Sequence, residues 1–471
     1  MTGNGHTDGK AKADKVLLLA CYELGHQPLS IAWPLAALRG DGFEVAAQDL
    51  SLEALDEALV TGASLVGIAV PMHTALRLGV TIARRVRALN PAAHICFYGL
   101  YAWINGDYLL HEAHLADSVI AGEVEDVLRR LVAALAAGEP AASVAGVTTA
   151  TVQGAPVLER LALPVPDRSG LPPLERYAHY MHNGQAKPAG YVEASRGCLH
   201  TCRHCPVVPV YGGRFFVVPV ETVLADVRQQ VAAGAGHITF GDPDFLNGPG
   251  HALRVAEALH AEFPYVTFDF TTKVEHLLER QALLPRLREL GASFVVSAFE
   301  ATSDRVLAEL QKGHTVADMD RALAILDEAG LPVQPTWVPF TPWTTLADYV
   351  HMLGWIRSRG LIAHVPPVQL CIRLLIPPHS ALLDGGPPSS WLGALDSGNF
   401  TYTWTHPDPR MDALQQEVAA MVELAGEASS THTFRAVEEL AAGLAGMPAP
   451  TWSPPRIPDL PPPRLTEDWF C

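Results

Sequence analysis

Cys198, Cys202 and Cys205 stand in the segment SRGCLHTCRHCP with C-x3-C-x2-C spacing. Thiolates this close on one loop can fold around a single metal centre, and Gly197 permits the tight backbone that this requires. Three ligands for a four-iron cluster leave one iron without a protein ligand. That iron can chelate the amino and carboxylate groups of a second molecule, and the reduced cluster can pass it an electron. The alternative is zinc, with His200 or His204 as fourth ligand. Zinc sites usually pair two-ligand knuckles at longer separation, and the sequence has no obvious second knuckle. The chain has seven cysteines, an odd number with three crowded together. That pattern suits metal ligation in a reducing compartment better than a disulfide framework.

These cysteines need a scaffold. Hydrophobic patterning predicts strands at Tyr191–Ser195, His237–Phe240, Thr267–Thr271, Phe294–Ala298, Val333–Val338 and Val368–Leu374. Helices are expected near Val220–Ala233, His251–Glu262, Gln281–Leu290, Val316–Ala329 and Thr345–Arg359. Strands and helices alternating in this way predict a partial (β/α)6 TIM-type barrel over 188–385, with its chemistry at the C-terminal mouth. Upstream, KVLLLAC opens a second α/β series, expected to form a doubly wound, Rossmann-like domain over 15–150. Residues 151–187 contain LPVPDRSGLPPLERY and read as a linker. Residues 386–471 are expected to be a small helical and proline-rich region, and residues 1–14, polar and glycine-rich, a disordered tail.

Formal net charge over the 471 residues is −17, against the clustered Lys and Arg that a broad nucleic-acid footprint needs. A small-molecule or peptide substrate fits better, although acidic charge can also serve solubility alone. The N-terminus does not read as a signal peptide, and no apolar run approaches the ~20 residues of a membrane span, so a soluble cytoplasmic protein is expected.

Together, the cysteine spacing, its position after a barrel strand and the strand series resemble the radical S-adenosylmethionine (SAM) superfamily, over roughly 190–383. The resemblance implies a [4Fe–4S] cluster on Cys198, Cys202 and Cys205, reductive cleavage of SAM, and an external electron donor such as a reductase, flavodoxin or ferredoxin. The family usually carries an aromatic residue just before the third cysteine, where this chain has His204. The segment ITFGDPDFLN puts Gly241, Asp242 and Asp244 where the family receives the SAM amino group. An acidic side chain there can accept from an ammonium; Asp and Pro also simply make turns. In SAFEATSDRVLAELQKGHT, Glu300 and Ser303 would lie near the SAM ribose or carboxylate, and Ser303 could equally cap the following helix. Lys273 is either a SAM or substrate contact or a surface lysine. Arg196, Arg203 and Arg214 could balance charge at the cluster or face solvent.

Residues 15–138 resemble the cobalamin-binding domain that precedes many radical SAM barrels, including GEVED at Gly122–Asp126. The D-x-H-x-x-G loop whose histidine ligates cobalt is absent; after the first strand comes CYELGHQP, with His26 alone. Relatives lacking the motif still bind cobalamin, so cobalamin remains an expected cofactor beside a plain scaffold reading. His73 and Tyr101 fall at strand ends where a ligand could touch them or where they could simply pack. The ending TEDWFC resembles a group of radical SAM proteins whose Cys-Cys or Cys-selenocysteine pair precedes Ala-Glu-Pro, some of them linked with arsenic-containing natural products. That resemblance implies transfer of the aminocarboxypropyl group of SAM rather than a methyl, with Cys371 and Cys471 as candidate catalytic thiols, although a cysteine such as Cys371 is more often a buried small hydrophobe. The radical SAM resemblance as a whole also leaves open a cobalamin-dependent methyl transfer or a rearrangement. The other function classes are a non-catalytic iron–sulfur or cobalamin-binding sensor and an RNA-modifying radical SAM enzyme. If the tail resemblance holds, genomic sequence past the Cys471 codon contains an in-frame UGA leading to an Ala-Glu-Pro-like tail; sequencing without one removes that expectation.

Overall fold

A computed structural model describes residues 15–160, 162–384, 390–426, 430–448, 451–452 and 461–467. The chain divides into two compact units, the first built from residues up to Glu23 and from Pro28–Pro172, the second from Leu24–Gln27 and Pro173 onward.

The first unit alternates strand and helix: β1 (Lys15–Ala20), α1 (Leu29–Gly40), β2 (Glu44–Asp49), α2 (Glu57–Gly62), β3 (Leu65–Ala69) and α3 (His73–Leu89). It continues through β4 (His94–Tyr98), α4 (Leu100–Ile104), β5 (Ser118–Ile120), α5 (Val124–Ala136) and β6 (Val147–Thr148). The sheet runs β2-β1-β3-β4-β5-β6, parallel except for the antiparallel edge strand β6. This is a doubly wound order whose direction reverses between β1 and β3. Val16, Leu18 and Ala20 of β1 share one buried cluster with Ile31, Leu35 and Leu38 of α1 and Val127, Leu128 and Leu131 of α5. Apolar residues two apart on a strand and three or four apart on a helix meet in this way because their periods put them on one face. Helix α2 starts at Glu57, where the Asp56 carboxylate caps it by accepting from the Ala58 and Leu59 amides.

In the second unit, β7 (His179–His182) and β8 (Gln185–Val192) form a hairpin, followed by β9 (Ser195–Gly197), α6 (Val207–Tyr211) and β10 (Phe215–Val217). Then come α7 (Val220–Ala232), β11 (His237–Phe240), α8 (Pro249–Glu262), β12 (Thr267–Thr272), α9 (Val274–Glu279), α10 (Leu284–Glu289) and β13 (Ala292–Glu300). They are followed by α11 (Asp304–Glu309), α12 (Val316–Glu328), β14 (Val333–Trp337) and α13 (Leu346–Ser358). A hairpin, β15 (Leu392–Asp396) and β16 (Thr401–Trp404), precedes α14 (Pro409–Ala425) and α15 (Ser430–Leu444), and β17 (Arg464–Leu465) is the last strand described. The main sheet is barrel-like, in the order β14-β13-β12-β11-β8-β7-β17. Its five strands from β8 to β14 are parallel, with β7 antiparallel to β8 and β17 antiparallel to β7.

Two stretches differ from the sequence reading. The expected sixth barrel strand, Val368–Leu374, is reduced to one parallel bridge between Phe340 and Arg373, after a 3-10 turn at Pro367–Leu370. Proline favours the start of such a turn, and the turn takes up Val368–Leu370, which leaves only the last residues of the stretch to pair. Within the segment read as a linker lies β7, whose Tyr180 and Met181 pair with Lys187 and Ala186 of β8.

The cysteine loop is gripped at its base. β9 pairs with β10, setting Gly197 opposite Phe215. Gly197 has φ +74°, and a Cβ on it would fall 2.4 Å from Arg214 O and 2.5 Å from the Tyr211 ring. The left-handed backbone alone costs an alanine about 1–2 kcal/mol, and the collision adds to that. Gly197→Ala should therefore lower the melting temperature by several degrees and reduce the iron bound per chain on reconstitution; wild-type iron content would refute it.

Candidate functional site

The three cysteines leave the end of β8 through β9 and stand at the carboxyl ends of the parallel strands. Cys202 is buried, and Cys198 and Cys205 are half-buried. Burial pushes the Cys205 thiol up to about 12 and raises Cys198 as well, so a metal has to displace protons to bind them. Asn247 accepts the Leu199 N–H through Oδ1 at 3.2 Å, which turns its Nδ2 inward. That nitrogen, His200 Nε2 and His204 Nδ1 are all buried without a hydrogen-bond partner among the described residues. Thiols at cluster spacing surrounded by polar atoms lacking partners fit an iron–sulfur centre, whose sulfur atoms accept such hydrogen bonds.

Around the loop, buried carboxylates join the strand ends. Asp242 accepts from the Ala194 N–H at 2.9 Å and from the Ser195 hydroxyl, tying the end of β11 to the approach to the cysteines. Gly241 beside it has a second constraint, because a Cβ there would lie 2.4 Å from the Tyr191 ring. Asp244 accepts from Leu246 N (3.0 Å), Thr272 Oγ1 (2.8 Å), Lys273 N (3.1 Å) and His276 Nδ1 (2.9 Å), locking β11 to the β12–α9 turn. His200, Asp244 and His276 bring one ligand atom each within 4.8 Å of one another. With four donors already on Asp244, its carboxylate is satisfied by hydrogen bonds, while His200 Nε2 is not. Burial first, then Lys273, pulls His200 down to about 4.

Glu300 lies at a register shift between β13 and β14 with φ +65°. Its Oε1 accepts from Lys312 Nζ at 3.0 Å and lies 3.5 Å from His204 Nε2. Burial opposes charge on Glu300, but the Lys312 ammonium and His204 outweigh it and hold the carboxyl far below its ordinary range. Ser303 occupies the N-cap of α11 without a capping hydrogen bond from its side chain. Lys273 is no surface residue: it is 7% exposed and pairs with Glu275 at 3.0 Å. Arg196 pairs with Glu193 at 3.0 Å. Arg203 donates to the carbonyls of Ala381 and Leu382 at 3.2 and 3.4 Å, and Arg214 is exposed. Cys371 donates to Val368 O at 3.2 Å and burial raises its thiol, while Cys471 lies outside the described residues.

In the first unit His73 opens α3 and meets Tyr101 of α4 edge to face at 5.9 Å. His26 belongs to the second unit, where it stacks on Tyr191 at 4.4 Å and 8°. Burial lowers His26 to about 4. The sequence reading did not single out Lys312, His276 or Asn247. Each lies in or beside a quoted segment, and each partner is distant in sequence or on another element.

Burial also pushes Asp242 up to about 7, against the pull of Ser195 and the Ala194 amide. The folded chain therefore keeps a proton that the unfolded chain releases near pH 4, and stability present at low pH is lost as pH rises toward 7. Asn at this position does not titrate. The melting temperature of Asp242→Asn relative to wild type should rise by a few degrees between pH 5 and pH 8; a difference that does not change with pH would contradict this.

Residues 192–345 match the model of the radical SAM superfamily. A tRNA-2-methylthio-N(6)-dimethylallyladenosine synthase of Chloroflexus aurantiacus is 31% identical over 140 residues, 27% of this chain and 28% of that protein. An uncharacterized methyltransferase of Pyrococcus horikoshii is 22% identical over 253 residues, 53% of this chain and 55% of that protein. The chain thus spans little more than half the length of these relatives at most. Among solved structures, the radical SAM methyltransferase TsrM from Kitasatospora setae, with tryptophan substrate and a SAM analogue bound, superposes with TM-score 0.66 at 16% identity. That match covers 92% of this chain and 99% of the other. The cobalamin-dependent radical SAM enzyme OxsB, with aqua-cobalamin and SAM bound, gives 0.67 at 14% identity over 92% and 72%. At these identities the likeness is one of fold: a doubly wound unit joined in sequence to a barrel-like one. Residues 192–345, which carry the three cysteines, thus match the radical SAM superfamily, and the fold over 92% of the chain is similar to that of the radical SAM enzymes TsrM and OxsB.

Proposed function

We propose that this chain is a radical SAM transferase that holds a [4Fe–4S] cluster on Cys198, Cys202 and Cys205, binds SAM and cobalamin, and delivers a methyl group to a small molecule. The observation that carries the reading is the cysteine loop itself, gripped by the β9–β10 pair at the mouth of a barrel-like sheet and edged by buried polar atoms lacking partners. When bound, the reduced cluster supplies an electron to the SAM sulfonium and breaks a C–S bond. The protein's own part is positional. Asn247 Nδ2 is available to donate toward a cluster sulfur, Asp242 braces the approach to the loop, and Glu300 fixes His204 beside the third cysteine. Gly241, Asp242, Glu300 and Ser303 remain the residues assigned to the SAM side of the site.

Cobalamin is assigned to the first unit on its strand order and on its likeness to TsrM and OxsB, the second of which is a cobalamin-dependent enzyme solved with aqua-cobalamin. The small-molecule assignment rests on the net charge of −17. Curated tRNA-modifying relatives align with 27–37% of this chain. No described helix is long and apolar enough to cross a membrane. Aminocarboxypropyl transfer to a thiophilic acceptor such as arsenic is the finer alternative, and it depends on the cysteine tail.

Anaerobic reconstitution with iron and sulfide, reduction with SAM present, and identification of the adenosyl products test the reading. Methyl transfer with a radical step leaves S-adenosylhomocysteine and 5′-deoxyadenosine, whereas aminocarboxypropyl transfer leaves 5′-methylthioadenosine. Replacing Cys198, Cys202 and Cys205 with Ala should abolish both the four-iron spectrum and SAM cleavage. A wild-type chain that forms the cluster but cleaves no SAM under any reductant would instead be a sensor.

A further inference from the structure

The cysteine loop is tied to the end of α11 and the residues after it directly, and to Lys312 through Glu300. The Arg203 N–H donates to Leu310 O at 3.0 Å, and its guanidinium reaches Glu309 O at 3.5 Å. One residue on, His204 Nε2 lies 3.5 Å from Glu300 Oε1, the same oxygen that accepts from Lys312 Nζ at 3.0 Å. The Lys312 and Glu300 side chains are 3% and 7% exposed. One buried carboxylate thus holds both the imidazole between the second and third cysteines and a buried ammonium. Its position is kept at a backbone cost, since Glu300 is a non-glycine residue at φ +65°.

A carboxylate and an ammonium could neutralise each other anywhere in a core. This pair is placed against the cysteine loop. Burial disfavours the charge on Lys312; Glu300 restores it first, and the sulfur atoms of Cys202 and Cys205 restore it further. Through the shared Glu300 oxygen the cation is placed beside His204, the residue next to Cys205. A four-iron cluster on three thiolates already carries negative charge, and reduction adds more. A cation fixed nearby in a medium of low dielectric stabilises the reduced form more than the oxidised one.

We propose that Lys312, held in place by Glu300, raises the reduction potential of the cluster on Cys198, Cys202 and Cys205. The inference rests on the cluster assignment made above. It gives Glu300 the task of aiming a charge at the metal centre, beyond any contact with SAM.

The test is a redox titration of the full-length reconstituted protein, without SAM and followed by the electron paramagnetic resonance signal of the reduced cluster. Lys312→Arg should keep the wild-type midpoint. Lys312→Met should move it negative, so that at the wild-type midpoint the reduced-to-oxidised ratio falls about tenfold, which is 59 mV for one electron. Glu300→Gln should move it the other way, because the ammonium loses its counter-charge. Should Lys312→Met fail to fold, the Glu300→Gln/Lys312→Met double variant removes both buried charges together, and its midpoint should lie below that of Glu300→Gln; a midpoint equal to that of Glu300→Gln would overturn the proposal. Midpoints unchanged in Lys312→Met and Glu300→Gln, with the four-iron spectrum intact, would overturn the proposal. So would a shift seen only after SAM is added, which would make Lys312 a SAM contact. A wild-type chain with no four-iron spectrum overturns the cluster reading, and this one with it.

Discussion

Burying charge in a short loop is the constraint that the second unit is organised around. The cysteine thiols sit where water is scarce, and burial makes two of them poor acids until a metal takes the place of the proton. A loop whose ligands are costly to ionise cannot wait for metal to shape it. Its base is set by the β9–β10 pair, its first residues by Asp242, and its later residues by the α11–α12 segment.

The same device recurs at successive strand ends. Asp242 joins β11 to the residues that follow β8, Asp244 joins β11 to the β12–α9 turn, and Glu300 joins the end of β13 to Lys312. Each carboxylate is buried and bridges two elements, so the mouth is held by polar links where the apolar core stops. Such links are worth having only when every lone pair finds a donor, and Asp244, with four, meets that condition. At Asn247, whose Oδ1 accepts from Leu199 in the cysteine loop, Nδ2 is a buried donor without an acceptor.

The alternation of strands and helices was legible in the sequence because its signals are local: apolar runs for buried parallel strands, amphipathic periods for the helices over them. The cysteine spacing was legible for the same reason. The sixth barrel strand was misread because an apolar run, Val368–Leu374, outweighed the two prolines in front of it. The hairpin strand β7 was missed because HYMH alternates weakly and sits at the edge of a proline-rich stretch. At the site, Asp242 and Glu300 were found by position in a segment, but their partners were not. Nothing local says that Asp242 turns back to Ser195, 47 residues earlier, or that Glu300 reaches Lys312 across a helix. His26 shows the limit most clearly: it follows the first strand in sequence, yet it packs on Tyr191 of β8.

The first unit carries a quieter feature. Helix N-termini at the strand ends of doubly wound folds are ready-made anion sites. Here the N-terminus of α1 is filled from within: the Glu23 carboxylate accepts from Leu29 N at 3.0 Å, Ser30 N at 3.2 Å and the Ser30 hydroxyl. A phosphate arriving at that crevice would meet a fixed negative charge instead of free amides. This unit thus keeps a doubly wound strand order while the first amides of its first helix are already engaged by its own chain.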